Sequence, residues 1–143
     1  MAWDPKEFER NLREDMRTHG GRPTSGPLAG QPLLVLTTTG AKSGEERVAI
    51  VTYHQDGDRL VVAGSKGGAD THPSWYYNLL ANPDATVEIG EDVFPVHAVV
   101  ESNGQERDRL WNDHVKELPG FGEYPKKTDR VIPMVVLQKA AAG

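Results

Sequence analysis

Six short apolar runs, separated by polar turns, constrain the fold of this chain more than any other feature. They predict strands at about 32–39, 46–54, 59–65, 85–90, 93–101 and 131–138. Asp56-Gly57-Asp58 and Gly90-Glu91-Asp92 stand between neighbouring runs, and turns of this composition join antiparallel strands as hairpins. Because hairpins need no helical crossover, the pattern predicts an antiparallel sheet.

Three helical segments accompany these strands. Asp4-Pro5 begins the first, in which Phe8, Leu12 and Met16 recur every four residues until His19-Gly20-Gly21 ends it. Helices at about 73–81 and 104–117 follow. We therefore predict a mainly β protein with peripheral helices (α+β), a small antiparallel barrel. An N-terminal helix and linker would span residues 1–30, and the barrel domain residues 31–143.

Composition excludes several classes of protein. The absence of Cys excludes disulfides, thiolate metal sites and a Cys nucleophile, and the five His residues lack metal-ligand spacing, so we expect no metal. A net charge of −5 argues against nucleic-acid binding. No apolar run approaches the ~20 residues of a transmembrane helix, and no signal peptide is recognisable, so we expect a cytoplasmic protein. The mixed charge of the first helix argues against firm peripheral attachment to a membrane.

The loop at residues 37–47 combines flexible backbone with Lys42, Ser43 and Arg47. Two cations and a hydroxyl beside glycine suit an anionic ligand, towards which free N–H groups would also converge. The alternative is a solvated hairpin tip that binds nothing. The loop is not a P-loop, because Ala41 precedes the lysine and a strand follows.

A second polar cluster, at residues 63–70, contains three glycines and Lys66 and lies before a helix that contains Trp75, Leu79 and Leu80. The spacing of these three side chains indicates core packing. The cluster itself could be no more than a flexible loop. Two loops rich in Gly and Lys, beside an aromatic helix, would nevertheless form a slot for a flat anionic molecule.

Four segments, at residues 36–47, 63–68, 73–83 and 130–137, together resemble the deazaflavin-dependent nitroreductase family. The resemblance runs from about residue 30 to residue 139. It implies a six-stranded antiparallel split β-barrel, similar to the FMN-binding split barrels, that binds coenzyme F420. The tail of that coenzyme carries a phosphate and a polyglutamate chain, which would explain clustered cations on an acidic protein. FMN is the alternative cofactor.

The resemblance also implies which residues contact the coenzyme. Arg47 would lie close to the phosphate, the strand at residues 48–52 along the deazaflavin ring, and residues 63–66 around the ring edge and the tail. The implied contacts are Ala41, Lys42, Ser43, Arg47, Val48, Ala49, Ile50, Val51, Thr52, Ala63, Gly64, Ser65, Lys66, Ser74, Trp75, Tyr76 and Asn78.

The activity implied is F420H2-dependent transfer of a hydride to a small planar electrophile, such as a quinone, an enone or a nitro compound. Tyr124 is the candidate proton donor or substrate contact, and Phe121 and Leu118 are candidate substrate contacts. Nitroimidazole-activating relatives carry further tyrosines in this loop, and the absence of those tyrosines here argues against nitroimidazole reduction. Phe121 could instead simply pack the loop down. A non-catalytic F420 carrier is the alternative function, and both a monomer and a homodimer are compatible with the sequence.

Overall fold

The computed structural model describes residues 4–24 and 28–140, so parts of the predicted N-terminal segment, the linker and the C-terminus lie outside the described residues. Within them, the chain forms three α-helices and six strands. In order they are α1 (Pro5–Thr18), β1 (Leu33–Thr39), β2 (Glu46–Asp56), β3 (Arg59–Ala63), α2 (Ser74–Ala81), β4 (Asp84–Ile89), β5 (Asp92–Glu101), α3 (Gln105–Glu117) and β6 (Met134–Lys139).

The six strands close into an antiparallel barrel in the order β1-β2-β3-β6-β5-β4. The pairing of β1 with β2 runs from Leu33 opposite Thr52 to Thr39 opposite Glu46. On its other side β1 pairs with β4, where Leu36 lies opposite Val87, and this ladder closes the barrel. The predicted six-stranded antiparallel barrel is therefore confirmed.

Apolar side chains pack on both sides of the barrel wall. The interior contains Leu34, Leu36 and Leu137, with Tyr76 and Leu79 of α2 packed against them. Outside, α3 covers one part of the wall through Leu110, and α1 covers another through Met16. Because both faces of several strands are apolar, their sequences read as continuous hydrophobic runs rather than alternating ones.

Asp4 caps the N-terminus of α1, because its carboxylate accepts a hydrogen bond from the Lys6 N–H at 3.0 Å. Its predicted apolar stripe becomes more buried towards the C-terminus, from Phe8 at 41% exposed to Met16 at 2%. Gly21 then adopts a φ of +91° and joins the helix to the barrel, because its carbonyl accepts from the Leu33 N–H at 3.1 Å.

Two local predictions were wrong. The last strand begins at Met134 rather than Val131, because Pro133 has no N–H for the ladder and Val131 is exposed. Leu80 is 53% exposed rather than part of the core, and Tyr76 packs inward instead. Two loops also contain 3-10 helices, at Lys66–Gly68 and Pro119–Lys126. Among the described residues, none of the helices is long and apolar enough to cross a membrane.

Candidate ligand-binding cleft

A cleft of about 770 Å³ lies between the β1–β2 loop, the start of β2 and one face of α2. It is lined by Thr38, Gly40, Ala41, Lys42, Ser43, Arg47, Val48, Ala49, Ser74, Trp75, Tyr77 and Asn78. The polar residues of the loop and the apolar residues of β2 and α2 form different parts of this lining. The cleft can therefore hold a molecule that is apolar at one end and anionic at the other.

The charged part of the lining consists of Lys42 and Arg47, both exposed to solvent. Arg47 forms an ion pair with Glu45, 3.3 Å from Nη1 to Oε2, and its Nη2 lies 3.5 Å from the Ser43 hydroxyl oxygen. An exposed ion pair of this kind is weak, so a phosphate or carboxylate can replace Glu45 as the partner of Arg47. The Ser43 oxygen also accepts from the Glu45 N–H at 3.2 Å, which leaves the hydroxyl hydrogen to donate to a ligand.

The backbone N–H groups of the loop are less free to bind a ligand than its sequence predicts. The Gly40 N–H donates to the Glu45 carbonyl at 2.7 Å, and the Gly44 N–H donates to the Gly40 carbonyl at 2.9 Å. The Ala41 N–H donates to Asn78 Oδ1 at 2.9 Å. Side-chain cations, rather than a ring of amides, therefore supply most of the attraction for an anion.

Asn78 connects α2 to this loop and is buried at 7% exposure. Its Oδ1 accepts from Ala41, while its Nδ2 donates to the Thr38 hydroxyl at 3.1 Å. A buried amide with both ends bonded holds its partners rigidly. The loop and the helix therefore keep a fixed separation, which sets the width of the cleft.

The five predicted contacts on β2 divide between the two faces of the strand and between its two ends. Val48 and Ala49 line the cleft, together with the half-buried Trp75 of α2. Val51 packs against the barrel interior, whereas Ile50 and Thr52 face α1 on the outside. Of the five, only Val48 and Ala49, near the start of the strand, are therefore placed to support a planar ring.

The predicted residues 63–66 lie outside the set of described residues that line the cleft. Ala63, Gly64 and Ser65 are buried, and Lys66 is exposed with an unusual φ of +47°. The guanidinium of Arg130 holds this segment, donating to the Ser65 carbonyl at 2.8 Å and to the Ala69 carbonyl at 2.7 Å. The contact of these residues with the coenzyme stays a prediction.

Arg130 also donates to His72 Nδ1 at 2.9 Å, and the His72 ring lies 4.6 Å from the ring of Tyr76. Burial, and then the charge of Arg130, lowers the pKa of His72. Tyr76 itself is buried, and its burial raises the pKa of its hydroxyl. Of the predicted α2 contacts, Ser74, Trp75 and Asn78 thus reach the cleft, while Tyr76 packs beneath it.

The three predicted acceptor-side residues lie together against α3. Leu118 is buried, Phe121 contacts the His114 ring edge-on at 4.4 Å, and the Tyr124 ring lies 5.2 Å from that of Phe121. None of the three is among the described residues that line the cleft. These contacts fit the alternative prediction for Phe121, in which its side chain packs the loop against the protein.

Three residues of the lining were not predicted from the sequence, namely Thr38, Gly40 and Tyr77. A helical wheel would have found Tyr77, because positions 74, 77 and 78 share one face of α2 and Tyr76 lies on another. Thr38 carries no comparable signal, since the tertiary fold brings Asn78 to its hydroxyl.

A buried histidine pair lies outside the cleft. The Nδ1 atoms of His54 and His114 are 2.7 Å apart, so one imidazole donates and the other accepts. Both Nε2 atoms are buried, with no hydrogen-bond partner among the described residues. Burial lowers the pKa of both side chains, that of His114 to about 3. The pair is therefore neutral in the folded protein at pH 7.

Comparison with known proteins gives consistent matches. The model of the F420H(2)-dependent quinone reductase family matches residues 8–139. An F420H(2)-dependent quinone reductase of Mycobacterium tuberculosis is 39% identical over 110 residues, covering 76% of this chain and 74% of that protein. The solved structure of an F420-H2 dependent reductase has a TM-score of 0.68 at 39% identity, covering 75% of this chain and 94% of that one. A structure described as a domain-swapped dimer has a TM-score of 0.70 at 34% identity, covering 94% of this chain and 100% of that one.

Proposed function

Because the chain belongs to the F420H(2)-dependent quinone reductase family, we propose that it reduces a quinone with reduced coenzyme F420 bound in the cleft between the β1–β2 loop and α2. The chain is an F420-dependent oxidoreductase with a split-barrel fold. The quinone, rather than a nitro compound or an enone, is the proposed acceptor. When bound, the coenzyme supplies a hydride.

The observation that carries this proposal is the division of the cleft lining into a cationic part and an apolar part. Lys42 and Arg47 would hold the phosphate or carboxylates of the coenzyme tail through charge-assisted hydrogen bonds. Val48, Ala49 and Trp75 would hold the planar ring. The fixed Asn78 bridge would keep the two sides at one distance, which limits tilting of the ring and orients it for transfer.

Reduction of a quinone to a hydroquinone consumes one hydride and one proton, so a proton source is also needed. Tyr124 stays the predicted donor, although its ring packs on Phe121. Tyr77 is the competing candidate because it borders the cleft. If the Tyr77 hydroxyl donates the proton, Tyr77→Phe should lower kcat by about 10²-fold or more, because general-acid assistance is lost. If the Tyr124 hydroxyl donates it, Tyr124→Phe should have that effect instead. Stopped-flow kinetics of both variants distinguish the candidates.

The function is tested by mixing the purified protein with reduced F420 and menadione under anaerobic conditions and following the return of the oxidised deazaflavin absorbance. Acceptor-dependent oxidation supports the proposal. A nitroimidazole and a cyclic enone, supplied in parallel, would show whether the quinone is preferred. Tight coenzyme binding with no oxidation by any acceptor would instead indicate a carrier, and a protein purified with FMN would contradict the F420 assignment.

We also propose that two copies of this chain associate. The support is the 34% identical structure whose description is a domain-swapped dimer and which covers 94% of this chain. Light scattering coupled to gel filtration measures the mass directly. A mass equal to that of one chain at all concentrations would contradict the proposal.

A further inference from the structure

Arg130 bonds three points of the loop between β3 and α2, residues 64–73. Its Nη2 donates to the Ser65 carbonyl at 2.8 Å, its Nε donates to the Ala69 carbonyl at 2.7 Å, and its Nη1 donates to His72 Nδ1 at 2.9 Å. We propose that Arg130 and His72 form a pH-sensitive latch, which positions this loop and the start of α2 for the coenzyme only while the imidazole is neutral. This inference rests on the proposed function.

The hydrogen-bond chemistry of the latch fixes the protonation state of His72. A guanidinium has only donors, so the Nδ1 atom that faces Arg130 has to accept, and the proton of the neutral ring is on Nε2. Protonation of Nδ1 would replace this hydrogen bond by two opposed donors, each carrying a positive charge. The bond between Arg130 and His72 therefore exists in only one charge state of the imidazole.

The groups around the latch leave a second positive charge uncompensated. From the loop, from α2 and from the segment between α3 and β6, the charged and titratable neighbours are Lys66, Asp70, Tyr76, Tyr77 and Lys127. Two of these are cations, and tyrosines are neutral at pH 7. Burial lowers the pKa of Arg130, and Tyr77 and the exposed Asp70 only partly offset that shift. A protonated His72 would therefore be repelled by Arg130.

The loop held by Arg130 contains a backbone conformation that needs outside support. Lys66 has a φ of +47°, and among the described residues it is the one non-glycine residue with a positive φ. A residue with a side chain keeps such a conformation only when surrounding contacts hold it there. Arg130 bonds the carbonyls on both sides of Lys66, at Ser65 and at Ala69. Loss of the latch should therefore let the loop relax.

The loop continues directly into α2, the helix that forms one wall of the cleft. His72 lies two residues before Ser74, the first residue of the helix, and its ring meets that of Tyr77 edge-on at 5.7 Å. Ser74 and Tyr77 both line the cleft. A change in the position of His72 is therefore transmitted to the wall against which the coenzyme is proposed to bind.

The first test measures the affinity for F420 between pH 5 and pH 8 by titration of coenzyme fluorescence. In the released loop His72 would have an ordinary pKa near 6.5, whereas burial and then the charge of Arg130 lower its pKa in the latch. Protons therefore favour the released loop, so affinity is fully present above about pH 6.5 and should be about tenfold weaker at pH 5.

His72→Asn is the matched variant, because its amide oxygen can accept from Arg130 near the position of Nδ1 and does not take up a proton. The ratio of the wild-type dissociation constant to that of His72→Asn cancels the titration of the coenzyme itself. We expect this ratio to rise as the pH falls. A ratio that stays constant from pH 8 to pH 5 would overturn the inference.

Arg130→Lys tests the positioning role, because an ammonium keeps the charge but cannot bond three separated acceptors as the guanidinium does. We expect the dissociation constant of F420 to rise about tenfold, while kcat with menadione at saturating coenzyme changes by less than about twofold. Arg107→Lys is the control, since Arg107 also donates to a backbone carbonyl, that of Ile132, but does not bond the loop. If Arg130→Lys folds, as judged by circular dichroism, and binds F420 as tightly as the wild type, the inference is wrong.

Nitrogen NMR of the histidine side chains separates failure of this inference from failure of the proposed function, because it needs neither coenzyme nor acceptor. We expect His72 to carry its proton on Nε2, and its pKa to rise towards 6.5 in Arg130→Gln. If no acceptor oxidises reduced F420, the proposed function fails, yet these two results would still support the latch. If menadione is turned over and His72 titrates identically with and without Arg130, the proposed function stands and the latch is wrong.

Discussion

At the scale of single residues, Arg47 and Ser43 both form contacts within the β1–β2 loop and line the cleft. Arg47 lies between Glu45, its ion-pair partner, and the cleft, where the proposed anion binds. Ser43 accepts hydrogen bonds from its own loop and retains a hydroxyl hydrogen for a ligand. The loop is thus organised without the ligand, so little further ordering would be needed on binding.

We expect Lys42→Ala and Arg47→Ala each to weaken F420 binding by about 1–3 kcal/mol, because each removes a charge-assisted hydrogen bond. Glu45→Gln is the matched opposite change. It frees Arg47 from an exposed ion pair and should tighten binding by less than about 1 kcal/mol. Titration of coenzyme fluorescence measures all three affinities. Unchanged affinity in both alanine variants would refute the anion site.

The buried histidine pair predicts how stability depends on pH. In the folded protein both imidazoles stay neutral, while in the unfolded chain they take up protons below pH ~6.5. The unfolded state then binds more protons, so the free energy of unfolding decreases as the pH falls from 6.5 towards the folded-state pKa values. The decrease approaches about 1.4 kcal/mol per pH unit for each histidine.

Urea unfolding between pH 4.5 and 7.5 measures this slope. The double variant His54→Leu with His114→Leu replaces both partners by apolar groups and should lose most of it. His97→Gln removes an exposed histidine from β5 and should leave the slope of stability against pH unchanged. Hydrogen bonds from Arg109 and then from Arg59 hold the pKa of Asp56 below its usual range. The stabilisation that this carboxylate provides is therefore lost only below about pH 4, outside the measured range. A slope that survives in the double variant contradicts the assignment.

At the scale of secondary-structure elements, a few hydrogen bonds determine how the helices lie on the barrel. Asn78 fixes α2 against the β1–β2 loop, and Gly21 fixes the end of α1 against the start of β1. The first contact needs the Asn78 amide, and the second needs a residue without a Cβ, because a Cβ at Gly21 would lie 2.9 Å from the Leu33 carbonyl oxygen. The width of the cleft therefore depends on Asn78, and the position of α1 on the barrel depends on Gly21.

Gly21→Ala and Gly20→Ala form a matched pair for this connection. Both glycines have positive φ, +91° and +64°, so both substitutions cost about 1 kcal/mol from the backbone alone. At Gly21 an added Cβ would also lie 2.9 Å from the Leu33 carbonyl oxygen, whereas at Gly20 it would meet nothing within 4 Å. We expect a total of about 3 kcal/mol at Gly21 in chemical denaturation. Equal losses at the two positions would contradict this connection.

At the scale of the whole molecule, closure of the barrel makes one cooperative core. Leu36 is fully buried and lies in both ladders of β1, opposite Ala49 on β2 and Val87 on β4. Its side chain packs with residues from several strands and from α2. Loss of packing at this position should therefore destabilise the entire barrel rather than one edge.

Leu36→Ala should lower the free energy of unfolding by about 2–5 kcal/mol, through lost burial and a cavity. Val93→Ala, at an exposed position of the β4–β5 hairpin, should change it by less than about 0.5 kcal/mol. Fluorescence and circular dichroism should report the same transition in both variants. Separate transitions for the two signals would show that the barrel does not unfold as a unit.

The sequence predicted the features that depend on residues close together in the chain. Hairpin turns and apolar runs indicated six antiparallel strands, since turn geometry and strand period are local properties. Lys42, Ser43 and Arg47 were recognisable because one loop carries them all. The resemblance carried by four motifs indicated the F420-dependent family, to which the chain belongs.

Only the tertiary structure decided which residues share a surface. Both faces of β2 carry apolar side chains, so hydrophobicity could not reveal that Val48 lines the cleft while Val51 packs against the core. The contacts of Asn78 with Thr38 and of His54 with His114 join residues 40 and 60 positions apart. Such pairs form when the barrel closes and its helices dock, because closure brings together polar groups that no local pattern connects.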